Sequence, residues 1–267
     1  MDGNLLILCA LTAIINLIGA LAYAARLAGV RTRRIAMSFA FFNMLVLVSR
    51  LSNGFLAPLV AKRVERGIVT GGEAGLLDDF RWIMASASIA VLIGILLMPT
   101  GQRLFTRAIE GMRTRPSLGR LALRTVTPGG LRVLRESLAP PRPASLLKLT
   151  RPPQIGWSIL AANGLAQGLL AVGVFASIYA GVLAPEFRVT ASQLSAVVNG
   201  VATILLFAFI DPHLSILTDD VVEGIMEEGA YRRAVIWISG SRLAGTILAQ
   251  VLFLPAAWTV AAIARVL

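Results

Sequence analysis

The stretch FFNMLVLVSRLSNGFLAPLV, Phe41 to Val60, places Arg50 inside an apolar run that begins at Ile35 and meets no other charge until Lys62. A helix of roughly 27 residues, rising about 1.5 Å per residue, is long enough to cross a bilayer. Arg50 then falls near its middle. A guanidinium at that depth costs about 2.5 to 3.5 kcal/mol on insertion scales and stays charged, so it requires a partner, water or an anionic ligand. The alternative is a helix that ends near Val48, with Arg50 snorkelling to the interface.

Working outward, the rest of the chain repeats the pattern. Of its 267 residues, 57% are hydrophobic and the mean hydropathy is +0.78, well above a soluble domain. A window of roughly 19 residues predicts spans at about Leu5 to Ala28, Ile35 to Ala61, Trp82 to Pro99, Ile155 to Ala184, Thr190 to Ile210 and Ala234 to Ala264. All six are expected to be helices, because none shows the alternation of a membrane barrel strand. The first run has Asp2 in place of a basic leader and is too long for a signal-peptide core, so it is expected to be a retained span. The expectation is an all-α, polytopic single membrane domain over residues 1–267.

The net charge of +11 comes almost wholly from arginine, since Lys62 and Lys148 are the lysines. Much of it flanks the spans, which argues for anionic phospholipid and phosphate ligands and against nucleic acid. Arg31, Arg33 and Arg34 follow the first span, and eleven further basic residues lie between Gln102 and Pro152. With six spans these fall on one side, expected to be cytoplasmic, and both termini face outward. In the connection 101–153, Leu104, Ile109, Met112, Leu118, Leu121, Leu131 and Leu134 alternate with arginines. That pattern predicts short amphipathic helices at an anionic lipid surface; a basic loop serving topology only is the alternative. Gly164 and Gly168 form a GxxxG pair, predicting close helix approach within the bundle or at a homodimer interface.

Polar residues mark stripes inside the spans: Thr12, Asn16, Tyr23 and Arg26; Asn43, Arg50 and Asn53; Ser192, Ser195, Asn199 and Thr203; Ser239, Arg242, Thr246 and Gln250. Hydroxyls in such stripes are explained by helix packing. Arg50 and Arg242 are not, because no acidic residue falls within the predicted spans. Two intramembrane arginines among amides describe a central cavity that takes an anion, and phosphate is the expected one. Asp211, before Pro212 where the helix is expected to break, is a candidate counterion for Arg50 or Arg242 at the rim. Downstream, Asp219, Asp220, Glu223, Glu227 and Glu228 offer either a divalent cation site or a solvated amphipathic face.

No nucleotide-binding phosphate loop is present, and Cys9 with His213 cannot build a zinc site. No catalytic residue, cofactor or metal is assigned, and the chain reads as a carrier. On these residues an ion- or proton-coupled exporter of small anions, or an integral membrane enzyme acting on polyprenyl phosphates, stays open as an alternative.

The run AARLAGVRTRRIAMSFAFFNMLVLVSRLSNGFLAPLVAKRVE, Ala24 to Glu65, with DPHLSILTDDVVEG, Asp211 to Gly224, resembles the Amj family of lipid II flippases. The resemblance covers the whole hydrophobic layout but not the arginine-rich connection. It implies a multi-pass protein of the bacterial cytoplasmic membrane that moves lipid II, an undecaprenyl-pyrophosphate disaccharide pentapeptide, between leaflets for peptidoglycan synthesis. Arg50 and Arg242 are then expected to bind the pyrophosphate, with Asn16, Asn43, Asn53 and Gln250 on the sugars and Arg26 and Asp211 also among the substrate-binding residues. Transport by alternating access, without ATP, is the expected mechanism.

Overall fold

The computed structural model describes residues 2–71, 75–112, 128–140 and 154–267, and every regular element among them is helical. Six helical runs are long and apolar enough to cross a membrane. The first three are α1 (Gly3–Thr32), α2 (Ile35–Val69) and α3 (Leu76–Leu96). After α3 come α4 (Met98–Gly111) and α5 (Pro128–Ser137), then the fourth span, α6 (Trp157–Leu183). The fifth run is composite: a 3-10 turn Pro185–Phe187, α7 (Arg188–Leu205), a π turn Leu206–Ile210 and α8 (Asp211–Val222). The sixth span is α9 (Glu228–Val266).

Local chemistry sets the helix ends. Asp2 caps α1 by accepting from the Leu5 N–H at 2.9 Å. Arg33 ends it in the left-handed region, φ 54°, and its N–H closes onto the last carbonyls, reversing the chain into α2. The Ser38 hydroxyl then donates to the Ala25 carbonyl at 2.9 Å, pinning the hairpin where Gly29 leaves room. At the opposite end Arg63 of α2 pairs with Asp2 at 2.9 Å and Asp79 of α3 at 2.7 Å, joining three helices.

The 35 residues of α2 extend about 52 Å, past a hydrocarbon core of about 30 Å, so this helix does not stop at Val48 and Arg50 lies mid-span. Gly164 and Gly168 face α9: a β-carbon on Gly168 would meet the Gly245 carbonyl at 3.0 Å, and one on Gly245 would run into the Gly164 carbonyl. The GxxxG pair therefore packs within this chain, and Asn163 reinforces the contact by donating to Ser241 Oγ at 2.7 Å and the Ile238 carbonyl at 3.0 Å.

Two expectations are corrected. The helix does not break at Pro212. The Asp211 N–H bonds back to the Leu206 carbonyl, a wide π turn that accommodates a ring lacking an N–H, and the run stays helical to Val222. Asp211 is consequently an acidic residue inside a spanning run. Secondly, α4 does not lie free on lipid. Its apolar side is packed against α1, with Ile109 fully buried and Gly101 close to Ala24, and Thr100 and Arg107 tie it to Ala139 and Ser137 after and within α5. Leu118 and Leu121 lie outside the described residues.

Among the described residues three apolar cores result: a small one where Ala180, Ala184 and Ala191 meet Val260, Ala261 and Ala264, and two larger ones towards opposite ends of the bundle. At the end bearing the Arg33–Arg34 turn and α4, the basic end, the later half of α1 packs with Phe41, Phe42, Ile210, Leu214 and Tyr231 to Ile238. At the terminal end, the start of α1 packs with Leu56 to Val64, Phe80, Val172 to Ile178 and Phe253. Between them the helices separate around polar side chains.

Candidate functional site

All six spanning runs contribute to a chamber of about 380 Å³ at mid-depth. On α1 the wall is Thr12, Asn16, Gly19 and Tyr23; on α2 it is Ser49, Arg50, Asn53 and Gly54. Gln167 of α6, Ser195, Asn199 and Thr203 of α7, Phe207 and Ile210 of the π turn, Asp211 and Arg242 complete its polar and aromatic lining. Towards the basic end the chamber is lined by buried Phe42 and Tyr23, whose rings meet edge-on at 5.8 Å, and by Ile210.

The two arginines enter from facing walls. Arg50 Nη1 donates to Thr203 Oγ1 at 3.1 Å, and its guanidinium lies 5.0 Å from the Phe207 ring. Arg242 crosses from α9 towards the Tyr23 hydroxyl, passing over Gly19, where a β-carbon would lie 2.5 Å from Nη2. Its Nε is buried without a hydrogen-bond partner. Neither arginine forms a salt bridge among the described residues. Thr12 Oγ1 and Asn199 Oδ1, also on the wall, are buried and unpartnered as well. Such orphan atoms carry a desolvation cost.

Arg26 is different. It is 3% exposed, stacks on Phe39 and Phe42 at 4.7 and 4.2 Å, and donates from Nη2 to Asp211 Oδ1 at 2.9 Å. It stands behind the wall and is committed to Asp211, whose carboxylate lines the chamber. Asp211 thus has Arg26 as its salt-bridge partner; of the two expected partners, Arg50 interacts with it at longer range and Arg242 does not pair with it.

Of the residues singled out from sequence, Arg50, Arg242, Asn16, Asn53 and Asp211 come together around the chamber. Asn43 and Gln250 do not. Asn43 is exposed and does not line the chamber, although its neighbour Phe42 does. Gln250 is eight residues past Arg242, which turns the helix face by about 80° beyond two full turns. Its amide donates at 3.0 Å to the Arg81 carbonyl on α3. Gly19, Ser49, Gln167 and Phe207 were not singled out for the site. Gly19 and Phe207 carry no polar signal in an apolar run, Ser49 is one hydroxyl among many, and Gln167 forms only a short polar stripe with Asn163. No group of three or more His, Cys, Asp or Glu among the described residues could hold a metal ion, so the acidic segment after Asp211 does not form such a site.

α2 and the fifth run are the least buried of the six, and they pack chiefly against other helices, not each other. Leu47, Leu51 and Phe55 on one and Val201, Ile204 and Phe207 on the other are exposed. Arg50 and Thr203 join the two runs.

Comparison with known proteins gives a family model described as Amj, alternate to MurJ, matching residues 11–264. A protein of Bacillus subtilis (strain 168) named lipid II flippase Amj is 31% identical over 264 residues, covering 93% of this chain and 92% of that protein. No solved structure matches.

Proposed function

The chain belongs to the Amj family and is a lipid II flippase of a bacterial membrane, and we propose that the mid-depth chamber is the path of the lipid II head group. The observation that carries this is the pair Arg50 and Arg242, two guanidiniums without a salt bridge among the described residues, held at mid-depth among amides and hydroxyls. A buried cation without a counterion is stable only where water or an anion reaches it. A pyrophosphate supplies that anion through charge-assisted, bidentate hydrogen bonds. Asn16, Asn53, Asn199 and Gln167 face the same space with groups that suit sugar hydroxyls.

The exposed faces of α2 and the fifth run account for the remainder of the substrate. The polyprenyl tail stays in the bilayer and meets the exposed apolar side chains of both walls, while the head group passes inward beside Arg50. The protein then works by alternating access, without ATP. Towards the basic end, assigned to the cytoplasm by its arginines, the chamber is lined by Tyr23, Phe42, Ile210 and Asp211, the partner of Arg26. Opening to that side requires the fifth run to swing away at its π turn, where the helical ladder is already widened. Anionic phospholipids neutralise the arginines of the basic end. The test is translocation of labelled lipid II in liposomes containing this protein alone. Transport without added nucleotide, lost in Arg50→Ala, is the expected result; no transport by the intact protein refutes the reading.

A further inference from the structure

Taking the chamber as the lipid II path, we infer that it recognises only the pyrophosphate and the sugars beside it, and that the peptide stem is not read. The substrate class is then a polyprenyl-pyrophosphate glycolipid, whatever its stem.

Charge matching is the first argument. A pyrophosphate diester carries two negative charges, and the chamber presents two cations without an ion-pair partner among the described residues, Arg50 and Arg242. Arg26 adds none, because Asp211 holds it at 2.9 Å. The described lining therefore has no further cation for stem carboxylates. Size is the second argument. About 380 Å³ lies at the low end of the range of about 300 to 1,000 Å³ that encloses a drug-sized ligand. A disaccharide pentapeptide is larger than such a ligand. Lining chemistry supplies the third: the guanidiniums of Arg50 and Arg242 suit phosphate, and the amides of Asn16, Asn53 and Gln167 suit sugar hydroxyls. The wall also opens beside Gly54, where a β-carbon would meet nothing within 4 Å, so a bulky stem has a way out.

The experiment is competition against translocation of labelled lipid II by the full chain in liposomes. The competitors are unlabelled lipid II, the same polyprenyl-pyrophosphate disaccharide without its peptide, and that disaccharide on a monophosphate. The stem-free pyrophosphate should compete within about threefold of lipid II, and the monophosphate should be at least about tenfold weaker, the loss of one charge-assisted contact. In Arg242→Ala, assayed by binding to the purified protein, the pyrophosphate and monophosphate compounds should bind equally weakly. A stem-free compound about tenfold weaker than lipid II, or a monophosphate as good as the pyrophosphate, overturns the inference and leaves the path reading standing. Failure of unlabelled lipid II itself to compete overturns both.

Discussion

Arg26 and Asp211, 185 residues apart, form an ion pair of 2.9 Å whose arginine is almost wholly buried and whose carboxylate faces the chamber. Two other guanidinium nitrogens of Arg26, Nε and Nη1, have no hydrogen-bond partner, so Asp211 is its principal compensation. Removing one member leaves an uncompensated charge. Arg26→Met or Asp211→Leu should therefore destabilise by about 3 kcal/mol, and the double variant by clearly less than the sum. Thermal unfolding in detergent measures both; additive losses would mean that the pair is not coupled.

Arg50 and Arg242 should respond in the opposite way. Alanine at either position should abolish lipid II translocation and leave a folded, inserted protein, since an unpaired intramembrane charge is removed. Lysine at position 50 should restore part of the activity, because it keeps the charge and loses the planar donor fork. Transport rates beside the size-exclusion profile separate these outcomes from misfolding.

Gly19 should act through Arg242. A methyl group there would fall 2.5 Å from Nη2, the far end of a flexible side chain, so Gly19→Ala should shift the guanidinium without unfolding the helix. The expected result is transport reduced towards that of Arg242→Ala with little change in melting temperature. Wild-type transport would show that the position of the guanidinium is not critical.

Gly245 cannot give way in the same manner, because its neighbours are the backbone of Gly164 and Gly168. Gly245→Leu should cost at least about 3 kcal/mol and separate α6 from α9. Reduced yield and aggregation in detergent would show this; an unchanged, well-folded protein would contradict the observed packing.

The Asp2 carboxyl is held below its ordinary value of 3.8, first by the Leu5 N–H and then by Arg63. A depressed carboxylate stabilises above its unfolded pKa and loses that contribution as pH falls through the folded value. Asp2→Asn should therefore melt slightly lower at neutral pH, with the difference closing at acidic pH. The effect should be small because the group is exposed and screened.

The six spans were legible in the chain because hydropathy and helix length are local properties, and the bilayer imposes both on consecutive residues. Arg50 and Arg242 were legible for the same reason, since a charge in an apolar run needs no partner to be noticed. Tertiary structure decided how those residues are used. The ion pair of Arg26 joins positions 185 residues apart, which no local pattern links. Whether Gly164 and Gly168 meet another copy or α9 depended on which helix packs beside them. Asn43 and Gln250 share a stripe with the arginines on paper, but a helix turns about 100° per residue, and small offsets accumulate over two turns. Asn43 is exposed and Gln250 turns to the Arg81 carbonyl, so neither lines the chamber. Sequence thus determined what must be inserted and which charges need an answer; only the packing of helices distant in sequence determined which charge answers which.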